Sequence, residues 1–213
     1  MAPARLGRAT LLLALVLGPG LAAGCLGSDG GPVRAAGTPA GLADGTGYDR
    51  VAATNRTLNA TVTRTVMGDV EGRTSLDVVA TVPVRTYRDG EAVLAVASSP
   101  YVTVVENPPQ GGDPLSTLST AATVAFVQDR YADVRDVRRV SEDDVAMLGT
   151  ETTLVTARAR ATRAGADRAV RIRVARVRHE GDVVTVVAVA APEGGPAPAT
   201  PLQRVRHPAT AAD

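Results

Sequence analysis

The sequence predicts an α+β domain over residues 48–191: an antiparallel, strongly twisted β-sheet of about seven or eight strands with one main packing helix. Three features predict it. From about Arg50 onward, β-branched residues alternate with polar ones at period two, the pattern of half-buried strands. One stretch only, Leu115, Leu118, Ala122, Ala125 and Phe126, repeats at helical spacing, and it follows Asp113 and Pro114, an N-cap with proline at the first helical position. Residues 182–191 are almost wholly apolar, as a central strand covered on both faces requires.

In chain order, Thr57–Met67 alternates Leu58, Ala60, Val62 and Val66 with threonines and Asn59. Residues 68–73 supply turn chemistry, and Thr74–Tyr87 alternates Leu76, Val78, Ala80, Val82 and Val84, so the two form a hairpin. Pro83 cannot donate to a ladder, which predicts an edge or a bulge there. A turn at 88–91 leads into strands at 92–97 and 101–105, a loop at 107–113, and the helix over 114–132. Strands follow at 134–140 and 145–148, then a long hairpin over 151–179.

With a turn at 164–167, that hairpin pairs Ala159 with Ile172 and Ala157 with Val174 on one face. Arg160 then meets Arg171, and Arg158 meets Arg173, on the other. Like charges directly opposed cost up to about 1 kcal/mol per pair. Past Ala175 the apolar positions change parity, which predicts a bulge or a second covered face.

Ahead of the domain lies a leader, residues 1–24. Arg5 and Arg8 precede the apolar run Leu11–Gly18, the layout of a secretory signal. This run is too short to cross a bilayer, which takes about 20 apolar residues. Residues 25–47, rich in Gly, Ala, Asp and Pro, read as a flexible tether reaching roughly 25 Å. Residues 192–213 read as a disordered Pro/Ala-rich tail.

Composition narrows the chemistry. A lone cysteine leaves no disulfide framework or thiolate metal cluster. All 23 basic residues are arginine, Trp is absent and Phe occurs once, so stacking platforms for nucleic acid are not expected. No cofactor or metal site is expected either. Charge is uneven: residues 151–180 carry 8 Arg against 3 acids, whereas residues 25–150 carry 11 Arg against 16 acids.

The segment Leu21-Ala22-Ala23-Gly24-Cys25 resembles the lipobox of bacterial and archaeal lipoproteins, in which the Cys thiol is lipid-modified and the chain is cut just before it. It departs from the pattern at Ala22, where leucine is usual. Beyond the leader, the chain resembles haloarchaeal lipoproteins of about 200 residues that share a domain of unknown function. The similar pieces are Gly24–Gly27, Gly47-Tyr48, Ser99-Pro100, Gln128–Tyr131, Met147–Thr152 (MLGTET) and His179–Asp182 (HEGD). The resemblance covers roughly residues 41–192. It implies an archaeal surface, high salt and no assigned activity; the near-neutral charge departs from halophile habit and keeps a GC-rich bacterium as the alternative host.

These readings give a lipid-anchored domain on the extracellular face of the cytoplasmic membrane, a non-enzymatic binding or scaffolding module held through Cys25. The face formed by Arg158, Arg160, Arg171 and Arg173 is the candidate for anionic lipid or an acidic polymer; the alternative is a solvated sheet face. Asn55 and Asn59 head glycosylation sequons and share the polar parity of their strand. His179 and His207 are distant in sequence and read as surface residues. The alternative function is an envelope enzyme whose site assembles only in three dimensions, which a cleft gathering Ser99, Glu151 or His179 would favour.

Overall fold

The computed structural model describes residues 31–66, 72–106, 109–193 and 199–208. The unit beginning at Pro32 is built on an eight-stranded sheet. Its strands are β1 (Val33–Ala36), β3 (Asp49–Val66), β4 (Gly72–Asp89), β5 (Ala92–Pro100), β8 (Ala132–Met147), β9 (Thr150–Arg163), β10 (Ala166–His179) and β11 (Asp182–Ala190). Two short pairs stand outside it: β2 (Gly41–Leu42) with β12 (Val205–Arg206), and β6 (Val102–Glu106) with β7 (Pro109–Gly112). The helices are α1 (Thr120–Val127) and α2 (Ala199–Gln203). The order across the sheet is β1-β4-β5-β11-β10-β9-β8, with β3 on β4 as well.

The sheet is mixed, not purely antiparallel, because β1 runs parallel to β4. Residues 33–42, read from composition as tether, supply both β1 and β2. At the end of β1 the chain passes so close to β5 that a Cβ on Gly37 would sit 2.2 Å from the Ser98 carbonyl oxygen. Pro83 sits neither at an outer edge nor in a bulge. It pairs in register with Asn55 and, on the other flank, falls between Thr81, the last residue held by β1, and Val84, the first held by β5. Over that gap one flank of the strand has no ladder partner, so a missing donor is tolerated.

Three hairpins close on a two-residue X-Gly turn with both residues at positive φ: Leu148-Gly149, Ala164-Gly165 and Glu180-Gly181. This is the type I′ geometry, whose twist matches that of the flanking strands. The MLGTET and HEGD segments are thus two of these turns. The tight turn at 164–165 also corrects the register of the β9–β10 hairpin by two residues. Ile172 faces Ala157, Arg171 faces Arg158, and Arg160 faces Ala169. A shift of two leaves every side chain on its expected face.

Both faces of the middle strands are covered. On one, Ile172, Val187, Val189, Ala95 and Val93 pack beneath Leu115, Val124 and Val127, with Leu118 and Phe126 at the margin. On the other, Val184, Val186, Leu94, Val96, Ala175 and Val177 pack beneath Ala40, Leu202 and Val205. The parity change at Ala175 is therefore a second covered face; the β10–β11 ladder runs without a bulge. Leu202 and Val205 of that cover come from the stretch read as disordered tail, and Ala40 from the stretch read as tether.

The helix is shorter than 114–132. Asp113 caps a 3-10 turn, Pro114–Thr117, its side chain accepting from the Leu115 N–H. Leu118 is extended, and Ser119 then caps α1 anew. Gln128 stops it: its side-chain amide donates to the Val124 and Tyr131 carbonyls, and its oxygen accepts from the Arg130 and Tyr131 N–H groups. That side chain, 2 % exposed, satisfies the backbone of the reversing Gln128–Tyr131 segment.

Candidate functional site

Cys25 lies outside the described residues. Asn55 and Asn59 are both exposed on β3, opposite Pro83 and Val79 of β4. The arginine face is divided. Arg158, Arg171 and Arg173 line one shallow depression with Asp143 and Asp144, and Arg138, Arg158 and Arg171 stand in a row across β8, β9 and β10. Arg160 is apart from this row, paired with Asp167, which also holds Arg135 at 2.7 Å. Burial, then the neighbouring Arg171, lowers the Arg173 pKa, while Tyr48 and Asp143 act the other way.

Sequence reasoning missed a polar cluster on the tail face. His207, read as a surface residue, is 8 % exposed. Its Nε2 lies 3.0 Å from Asp182 Oδ2. That oxygen also accepts from the Thr38 N–H at 2.7 Å and the Ser98 hydroxyl at 3.2 Å. His207 Nδ1 faces His179 Nδ1 at 3.2 Å, with the rings edge to face.

A Ser, a His and an Asp in contact invite a hydrolase reading, but the atoms are arranged otherwise. In a catalytic triad the carboxylate orients one ring nitrogen and the hydroxyl meets the other. Here both groups meet the same nitrogen, Nε2, so the ring does not stand between them. Ser98 is also fully buried. The cluster fastens β1, β5, β11 and the C-terminal segment to one another. Ser99 shares the α1 face with Val93, Ala95 and Ala97, whereas His179 shares the tail face with Ala175 and Val177. Glu151 is exposed at the start of β9. The three are not gathered in one cleft. Among the described residues no group of three or more His, Cys, Asp or Glu could hold a metal ion.

The site with the geometry of a ligand pocket lies between α1 and β8–β10, a cavity of ≈ 530 Å³, within the range of small-molecule sites. Its walls are Leu118, Val137, Val155, Ala157, Ile172 and Val174. Polar groups come from Thr120 and Thr123 on the helix, Thr152 and Thr153 on β9, Arg139 on the edge strand and Arg176 on β10. Each has a reason to be there. Residues 172, 174 and 176 alternate onto one face of β10, and Val155 and Ala157 face Val174 and Ile172 across the ladder.

Arg176 Nη2 lies 3.4 Å from Thr123 Oγ1, a long contact, and its buried Nε has no hydrogen-bond partner among the described residues. Behind it stands Asp113, 7 % exposed. Burial pushes the Asp113 carboxyl up, outweighing the Ser99 hydroxyl, the Leu115 N–H and the Arg176 charge. Arg139, two-thirds exposed, pairs with Glu142.

Fold and cavity together define a mixed-sheet β-domain with a helix-roofed pocket. The chain belongs to the family described as domain of unknown function DUF6517, whose model matches residues 35–211. That span takes in the second half of β1 as well as α2 and β12. No curated protein and no solved structure matches the chain.

Proposed function

We propose that this chain is a lipid-anchored domain of the cell envelope, exported by its leader, fastened to the extracellular face of the cytoplasmic membrane through a lipid on Cys25, and acting there by binding. The observation that carries the reading is the leader, Leu11–Cys25, with its two preceding arginines and small residues before a lone cysteine. No helix among the described residues is long and apolar enough to cross a membrane; in this reading a lipid on Cys25 supplies the hold. Stable attachment by acylation takes more than one chain or a second signal; the row Arg138, Arg158 and Arg171 offers such a signal to anionic headgroups.

Because β1 begins at Val33, only residues 26–32 separate the anchor from the sheet, at most about 29 Å of extended chain. The domain would ride close to the membrane. The resemblance to haloarchaeal lipoproteins supports an archaeal, high-salt host, and the exposed Asn55 and Asn59 would be open to a glycosylating enzyme there. Replacing Cys25 by Ser tests the anchor. The variant should leave the membrane fraction for the medium, or accumulate as uncut precursor. A variant that still fractionates with membrane as the wild type does would overturn the reading.

A further inference from the structure

We propose that the cavity under α1 binds an apolar molecule carrying a single carboxylate, with Arg176 as the headgroup site. The inference deepens the reading of the domain as a binding module but does not rest on the anchor. Of the residues lining the cavity, two are arginines and none is acidic. Arg139 is turned to Glu142 at the exposed edge, which leaves Arg176 as the one inner cation. No salt bridge to Arg176 is present among the described residues, and its only side-chain hydrogen bond is the long one to Thr123.

A guanidinium held against apolar walls is costly unless an anion meets it. Asp113 feels the Arg176 charge, but burial favours its neutral form and one of its oxygens already accepts the Leu115 N–H. The planar fork of Arg suits a carboxylate. Phosphate, with its higher charge, would call for more cationic donors than the one inner arginine supplies. Beyond the head, Leu118, Val155, Ile172 and Val174 offer apolar contact along the strands, which a hydrocarbon chain or ring would cover.

The test uses decanoate, below its micellar concentration, with decanol as the neutral control, titrated by calorimetry into the purified full-length chain. Decanoate should bind, and decanol about tenfold more weakly or worse, since a charged hydrogen bond is at stake. Arg176→Met should bring decanoate down to the level of decanol. Val155→Phe fills the cavity from a strand position that accepts an aromatic ring; it should melt as the wild type does and bind neither probe. If Arg176→Met does not fold, the comparison of the two probes and the Val155→Phe variant still decide. Failure of decanoate to bind, equal binding of decanoate and decanol, or retained binding in Val155→Phe would each overturn the proposal. None of these outcomes alters where the Cys25→Ser variant fractionates, so the pocket and the anchor fail separately.

Discussion

Ile172 and Arg171 are neighbours on β10 with opposite surroundings. Ile172 is fully buried and faces Ala157, while Arg171 points to the other face, opposite Arg158. Ile172→Ala should cost about 2–5 kcal/mol; Arg171→Ala should stay within about 0.5 kcal/mol or stabilise. Denaturant melts of the two variants give the contrast, and equal losses would mean the strand is misassigned. Asp113 supplies a pH test. Its pKa is raised in the folded state by burial, so folding favours the protonated form. The stabilising effect of that proton is complete below the unfolded value, roughly pH 4, and fades as pH rises through the folded value. Asp113→Asn keeps an acceptor for the Leu115 N–H and removes the charge. It should therefore gain on the wild type between pH 4 and pH 8 in urea melts, whereas an unchanged difference would place the cost elsewhere. The Ile172 burial was legible from period two alone. The His207 burial was not, because its partners Asp182 and Ser98 are separated from it by 25 and 109 residues.

Among the elements, the X-Gly turns decide more than their length suggests. Ala164 adopts φ 50°, a left-handed conformation that costs an ordinary residue roughly 1 kcal/mol. Asn is at home there, and Asn-Gly is the preferred type I′ pair, so Ala164→Asn should stabilise by up to about 1 kcal/mol in the same melts. No gain would imply that the turn relaxes in solution. The same turn fixes which arginines meet. A four-residue turn opposes Arg160 to Arg171; the two-residue turn opposes Arg158 to Arg171 and leaves Arg160 with Asp167. Replacing Arg158 and Arg171 by Thr should raise stability at low salt and converge with the wild type near 1 M, where the screening length is about 3 Å. Replacing Arg160 should instead lose a surface pair, a small effect of at most about 1 kcal/mol that salt also weakens. Strand faces were legible because their period is two whatever the register; the register was not, because it hangs on φ at one alanine.

For the molecule as a whole, the middle of the sheet was readable and its two ends were not. The apolar run at 182–191 announced a strand covered on both faces, which the burial of β11 bears out. What covers the second face, β2, α2 and β12, comes from segments whose Gly, Ala and Pro content hides any periodicity. Short pieces held by Leu202, Val205 and one buried histidine leave too little pattern to read. The cavity was likewise invisible in sequence, since it forms only where Arg176 on β10 comes beneath Thr123 on α1, 53 residues away. The proposed organisation, a β-domain held a short distance from a membrane, turns on the chemistry of one thiol. Intact mass spectrometry of the protein extracted from the membranes of its host tests it most directly. The account predicts a chain beginning at Cys25 and heavier than its amino acids by the mass of attached lipid. A mature chain that begins at any other residue, or begins at Cys25 with a free thiol, would contradict it.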